Sequence, residues 1–173
     1  MRPRRWFPLL SDDDHAWARH AHPLSVWSRI VLGLPLLAVA GYSRAWIGSW
    51  SWCALAVVLA FLWINPRMTP PARSMTTWGA LATRGERLWL ARREQPLPSQ
   101  HRTVPTLLVG LSLCGAATLV LGVVLLDPLV TLTGTITTWL AKLWYCDRMV
   151  WLARDVAAGV VHGSEVDPQR SPA

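Results

Sequence analysis

The chain has 173 residues, enough for one domain; 52% of them are apolar and the formal net charge is +7. Its mean hydropathy of +0.28 is high for a soluble domain of this size. No arginine-rich helix with interleaved base-reading side chains is present, so the basic balance points to anionic lipid head groups and not to nucleic acid.

Charge is sorted by position. Two apolar blocks, Ile30–Ile64 and Val104–Cys146, carry only Arg44, Asp127 and Lys142 as charged side chains. Residues 1–25 hold Asp12, Asp13, Asp14 and three histidines, with no apolar core leading to a small-residue cleavage site. They read as a cytoplasmic segment, and the first apolar span serves as its own targeting signal. His15, His20 and His22 do not amount to a metal site. A site needs three or four converging ligands, and no helical His/Glu motif supplies the remainder. No metal and no cofactor are expected.

Length sets the spans. A helix rises about 1.5 Å per residue and the hydrocarbon core is about 30 Å thick, so one crossing needs about 20 residues. The first block is too long for one crossing and suits a tight hairpin turning at Gly41-Tyr42-Ser43-Arg44. It predicts a first span over Val26–Tyr42 and a second over Ala45–Ile64. Pro35 should kink the first helix, and a re-entrant hairpin is the competing reading. Asn65-Pro66-Arg67 is expected to end the second helix. Asp127-Pro128 divides the second block into a third span, Val104–Leu126, and a fourth, Leu129–Tyr145.

Between spans two and three lies a basic segment, residues 65–103. Trp78, Leu81, Ala82, Gly85, Leu88 and Trp89 recur at helical spacing within Trp78–Arg93. Arg84, Glu86, Arg87 and Arg93 fall mostly on other faces. This predicts an amphipathic helix lying in the membrane interface. In the third span, Gly110, Cys114, Thr118 and Gly122 form a four-residue stripe suited to close helix approach. In the fourth, Thr131, Thr135, Thr138 and Lys142 share a side; packing is favoured over a polar path, since threonines in a span usually bond back to their own helix. Beyond the fourth span the helical pattern continues through Val161 within a carboxyl-terminal segment, residues 147–173, whose last dozen residues read as disordered. Cys53, Cys114 and Cys146 show no ligand spacing and read as small packing residues.

Orientation follows from counting cations. Five lie in the amino-terminal segment, seven between spans two and three, and four around and after the end of span four, against Arg44 alone at the hairpin tips. Sixteen against one places both termini and the central loop in the cytoplasm by the positive-inside rule. Of the 12 tryptophans, Trp27, Trp46, Trp50, Trp52, Trp63, Trp139 and Trp144 cluster where spans should meet the interface, the depth an indole ring prefers.

The fold class expected is therefore all-α: an integral membrane four-helix bundle of two hairpins, with an interfacial helix and a helical extension. Arg29, Arg67, Arg84, Arg87 and Arg148 are the candidate anion-binding residues, because the guanidinium fork matches phosphate. Glu86, Asp147 and Asp155 form a candidate polar cluster, the two aspartates pairing with central arginines to pin the tail. No Ser-His-Asp signature, phosphate loop or dinucleotide fingerprint is present.

His22-Pro23, Trp27-Ser28-Arg29, Asn65-Pro66-Arg67, Gly85-Glu86-Arg87-Leu88-Trp89-Leu90 and Asp147-Arg148-Met149-Val150 together resemble a family of small, tryptophan-rich prokaryotic membrane proteins of unknown function. The resemblance covers about residues 15–155. It implies a four-span membrane protein and brings no activity, cofactor or catalytic residue. The role expected is lipid association or partner binding in the plasma membrane, the partner being a second copy or another membrane protein. A small transporter is one alternative. An enzyme acting on a lipid head group through Arg29, Glu86, Arg87 and Asp147 is another, and it requires those four to converge.

Reporters fused at the two chain ends should both register the cytoplasm of intact cells, and one inserted after Arg44 should register the outside. Protease protection of tagged membranes measures this, and ends facing opposite sides would overturn the count.

Overall fold

The computed structural model describes residues 18–92, 97 and 100–159. His15, Arg93 and the tail beyond 159 lie outside the described residues, as does most of the amino-terminal segment.

Among the described residues every regular element is helical. Helix α1, Pro23–Trp27, runs through a widened π turn, Ser28–Gly33, into α2, Leu34–Tyr42. The tip carries a short α3, Arg44–Ile47, and a 3-10 turn, Gly48–Trp50. Gly48 there takes φ +56°, a left-handed backbone that favours glycine. Helix α4, Ser51–Met68, returns antiparallel. Asn65 Nδ2 donates to Ser28 Oγ at 2.9 Å and Gly33 faces Leu62, which fixes the register. Helix α5 is Trp78–Leu90, α6 is Gln100–Leu125 and α7 is Pro128–Ala157.

The π turn has a local cause. Pro35 has no N–H and crowds the turn before it. In a π register it would be the donor to the Ile30 carbonyl, five residues back, so that oxygen is left over. Trp139 on α7 supplies the missing donor: its Nε1 reaches Ile30 O at 2.7 Å. Proline thus widens the first helix and does not break it. Pro66 differs from expectation in the same way. It sits inside α4, which ends only at Met68; the proline removes the one N–H that would meet the Leu62 carbonyl, and the helix runs only two residues further.

The tightest seam is α6 against α7. Leu108, Gly115 and Gly122, seven residues apart, are buried on α6. On α7 the matching face contains Thr131, Gly134, Thr138, Ala141 and Tyr145, spaced by threes and fours as in coiled-coil packing. A Cβ at Gly122 would meet the Thr131 backbone, one at Gly115 would meet Thr138, and one at Gly134 would meet Leu119. The predicted stripe is corrected accordingly. Gly110 faces open space and Cys114 is exposed. With 3.6 residues per turn, a four-residue repeat drifts by about 40° per step and winds off the contact face, whereas seven residues return to it within about 20°.

The turn between these helices is closed by the first hairpin. Leu126 adopts φ +56°, and Asp127 caps α7 by accepting from Val130 N at 2.9 Å. The last carbonyls of α6 find donors in the hairpin tip: Tyr42 Oη donates to Leu126 O at 3.0 Å and Arg44 Nη2 to Val124 O at 2.8 Å. Arg44, the one cation in its apolar block, thus serves as a helix cap.

Helix α5 does not lie on a membrane surface by its apolar stripe. Ala82 and Trp89 are buried in a core with Leu97, Leu108, Tyr145, Met149, Val150 and Leu152, and Trp78, Leu81 and Leu88 pack against it. The stripe faces the extension of α7, which runs as one helix through Ala157 and ends there, short of Val161. Gly85 lies so close to the Met149 backbone that any Cβ would collide with its carbonyl. The expected bundle is also open. Helix α4 packs mainly on the first helix of its own hairpin, and of its residues only Ser51 and Pro66 are buried.

Two helical stretches, Pro23–Met68 and Gln100–Leu125, are long and apolar enough to cross a membrane. The first contains the hairpin reversal. Helix α7 is not among them; its first half is rich in threonine.

Trp139→Phe should cost about 1–3 kcal/mol by stranding the Ile30 carbonyl, whereas Trp144→Phe, at an exposed position, should be near neutral. Unfolding equilibria in detergent would separate the two.

Candidate ligand cavity

A cavity of about 380 Å³ lies between the first helix, α5 and α7. Its wall is apolar over Val26, Ile30, Leu34, Ala82 and Met149, and Arg29, Glu86 and Lys142 converge at one part of it. Each side chain arrives from a different element for a local reason. Arg29 sits in the π turn, where Nε donates to Ser25 O at 2.9 Å and Nη2 to His20 O at 3.1 Å. A guanidinium has five N–H donors, so those two bonds orient it and leave others available. Glu86 follows Gly85, whose contact with Met149 brings α5 against α7. Lys142 lies one residue past Ala141, which is buried in the α6–α7 seam.

Lys142 Nζ lies 3.6 Å from Glu86 Oε1, and 4.8 Å from the centre of the Tyr145 ring. Tyr145 and Glu86 line the same cavity. The ion pair is about half exposed, at 49% and 37% of the two side chains. A pair this open stabilises a fold by about 0–1 kcal/mol. Its position is therefore not explained by stability, and both groups remain able to exchange partners. Cys146 completes this end, Ser112 faces the cavity from α6, and Thr138 and Trp139 line it further along α7.

The candidate residues fall in several places. Of the five arginines, Arg29 alone lines the cavity. Arg67 is exposed, donates to Trp63 O and stacks 3.8 Å from the Trp63 ring centre. Arg84 and Arg87 are exposed on α5. Arg148 lies over Trp151 at 5.2 Å. The three acids are likewise separate. Glu86 is in the cavity, Asp147 is half-buried outside its wall, and Asp155 meets His101 Nε2 at 2.9 Å instead of a central arginine. The tail is pinned, but by a buried histidine at the start of α6. Arg29 and Glu86 share the cavity, whereas Arg87 and Asp147 do not line it, so the four-residue catalytic constellation is not assembled.

The threonines of the fourth span follow the packing reading favoured from sequence. Thr131, Thr135 and Thr138 each donate to the carbonyl four residues back, at 2.7 Å. No group of three or more His, Cys, Asp or Glu able to hold a metal occurs among the described residues. Sequence reasoning missed Lys142 as the partner of Glu86, His101, Trp139 as a carbonyl donor and the cavity itself. Only Lys142 left a signal, as a lone cation inside an apolar block.

An all-helical protein with apolar legs facing outward and a charged cavity near one end is the class these features define. The chain belongs to a family of unknown function, DUF6653, whose model matches residues 5–171. No curated protein and no solved structure matches it.

Asp155→Ala should leave the His101 ring nitrogen, in a residue only 6% exposed, without its partner at a cost of about 1–3 kcal/mol. Faster amide exchange over residues 150–157, with residues 131–141 unchanged, is the expected readout.

Proposed function

We propose that this is a four-span protein of the plasma membrane, with both termini and the basic central segment in the cytoplasm, that holds an anionic lipid head group in the cavity and performs no chemistry on it. The membrane reading is supported by where the apolar residues point. Only 6% of the most apolar window of Pro23–Met68 is buried, and 22% of that of Gln100–Leu125. A core helix of a soluble protein would be buried; these helices present Leu, Val and Trp outward, which is stable only where the surroundings are apolar.

Depth agrees with this. From Leu126 at the tip to Met149 at the cavity is 23 residues of rise, about 34 Å, close to the hydrocarbon thickness of about 30 Å. Trp46 and Trp50 are then at one interface, and Trp27, Trp63 and Trp144 nearer the other, all exposed. Arg29, Glu86 and Lys142 come near the cytoplasmic boundary, where phosphate groups of the inner leaflet lie. The single observation that carries the binding role is the meeting of Arg29 and Lys142 in a cavity whose wall is otherwise largely apolar.

Arg29→Gln with Lys142→Gln should lower the anionic lipid that co-purifies in mild detergent by about tenfold or more, since each hydrogen bond to a charged group is worth about 1.5–3 kcal/mol. Native mass spectrometry measures it. Arg84→Gln with Arg87→Gln is the surface comparison and should retain lipid. Loss from the surface pair with retention in the cavity pair would move the site to the outer face of α5.

A further inference from the structure

The cavity is polarised along the helix axes. Arg29, Glu86, Lys142 and Tyr145 occupy one part of it; Leu34, five residues beyond Arg29, and Thr138, four residues before Lys142, occupy another. Both steps run in the same physical direction, toward the Tyr42–Leu126 end, because α7 is antiparallel to the first helix: Tyr42 meets Leu126 at the tip and Trp139 Nε1 meets Ile30 O midway. They carry the cavity about 6–8 Å past the charges. From Met149 to Thr138 the wall covers about 16 Å of helix rise, about one leaflet of a core about 30 Å thick. The hydroxyl of Thr138 is already bonded to Gly134 O at 2.7 Å, so this deeper part offers a methyl group and few polar demands.

The charges sum simply. Arg29 and Lys142 against Glu86 leave one positive charge in the cavity wall. A ligand with one negative charge neutralises it. A neutral or zwitterionic head leaves it uncompensated, and a doubly charged head introduces a new excess. Resting on the binding role proposed above, we infer that the cavity takes a chain-bearing amphiphile with a single negative charge, a phosphodiester or a carboxylate, its head on Arg29 and Lys142 and its chain along Ile30, Leu34 and Trp139. The half-exposed Lys142–Glu86 pair loosens to admit the head, the lysine turning to the anion.

Cys146 lines the same cavity and is a reporter of its occupancy. Cys53 and Cys114 are exposed and free, so Cys53→Ser with Cys114→Ser leaves one thiol in the full chain. The rate of maleimide labelling is then read in detergent with dioleoyl phosphatidylglycerol, oleate, dioleoyl phosphatidylcholine or glycerol 1-phosphate added. Phosphatidylglycerol or oleate at ten times its dissociation constant should slow labelling about tenfold by mass action, and whichever does so identifies the source of the anion. Phosphatidylcholine and glycerol 1-phosphate should leave the rate unchanged. Equal protection by phosphatidylcholine overturns the charge requirement, and equal protection by glycerol 1-phosphate overturns the chain. Leu34→Trp, which fills the cavity five residues beyond Arg29, should abolish protection by the chain-bearing anions. If it does not, while Arg29→Gln with Lys142→Gln does, the head-group site survives and the chain path fails. Protection by none of the four probes removes both readings.

Discussion

The close approach of α6 and α7 is the constraint on which the remaining geometry depends. Glycines at 115, 122 and 134 let the two backbones come within a distance that no side chain there would permit. Because the helices meet along a seven-residue repeat, α7 leaves the seam straight and continues as one helix to Ala157. That continuation carries Met149, Val150 and Leu152 past the apolar region, where they become the core on which α5 docks. Glu86 faces Lys142 only because Gly85 rests on the Met149 backbone. The cavity is thus a consequence of helix packing two elements away.

The second organising demand is satisfaction of backbone groups. In apolar surroundings a stranded carbonyl has no water to turn to. This protein answers with long-range side-chain donors at two irregular places: Trp139 at the π turn, Tyr42 and Arg44 at the end of α6. The same donors join the first hairpin to the second, so the bonds that satisfy the backbone also set the relative position of the hairpins. The threonines of α7 act differently. They bond within their own helix and present small methyl-bearing faces to the glycines of α6, which makes them packing residues.

A charged cavity in such a framework is unusual in its economy. Arg29 is oriented by two backbone carbonyls near its own turn, so its direction does not depend on Glu86 or Lys142. The half-exposed Lys142–Glu86 pair contributes little to stability, which leaves it free to respond to a ligand. The stable pins of this end lie elsewhere, in the His101–Asp155 contact and the core around Tyr145 and Met149.

The helical class, the two hairpins and the segregation of arginine were legible in the chain, because apolar run length and charge placement are local properties that can be read residue by residue. The sequence also marked α5 as amphipathic, since periodicity needs no partner to be read. It did not reveal what the apolar face of α5 meets: a stripe suited to lipid and one suited to Met149 and Leu152 have the same spacing. Nor did it distinguish Gly115 from Gly110, a difference set by which way a neighbouring helix lies. Arg29, Glu86 and Lys142 are separated by more than fifty residues at each step, and no local pattern joins them. Their meeting was decided by tertiary structure alone, because convergence in space depends on helix crossing and register, which exist only once the hairpins have packed.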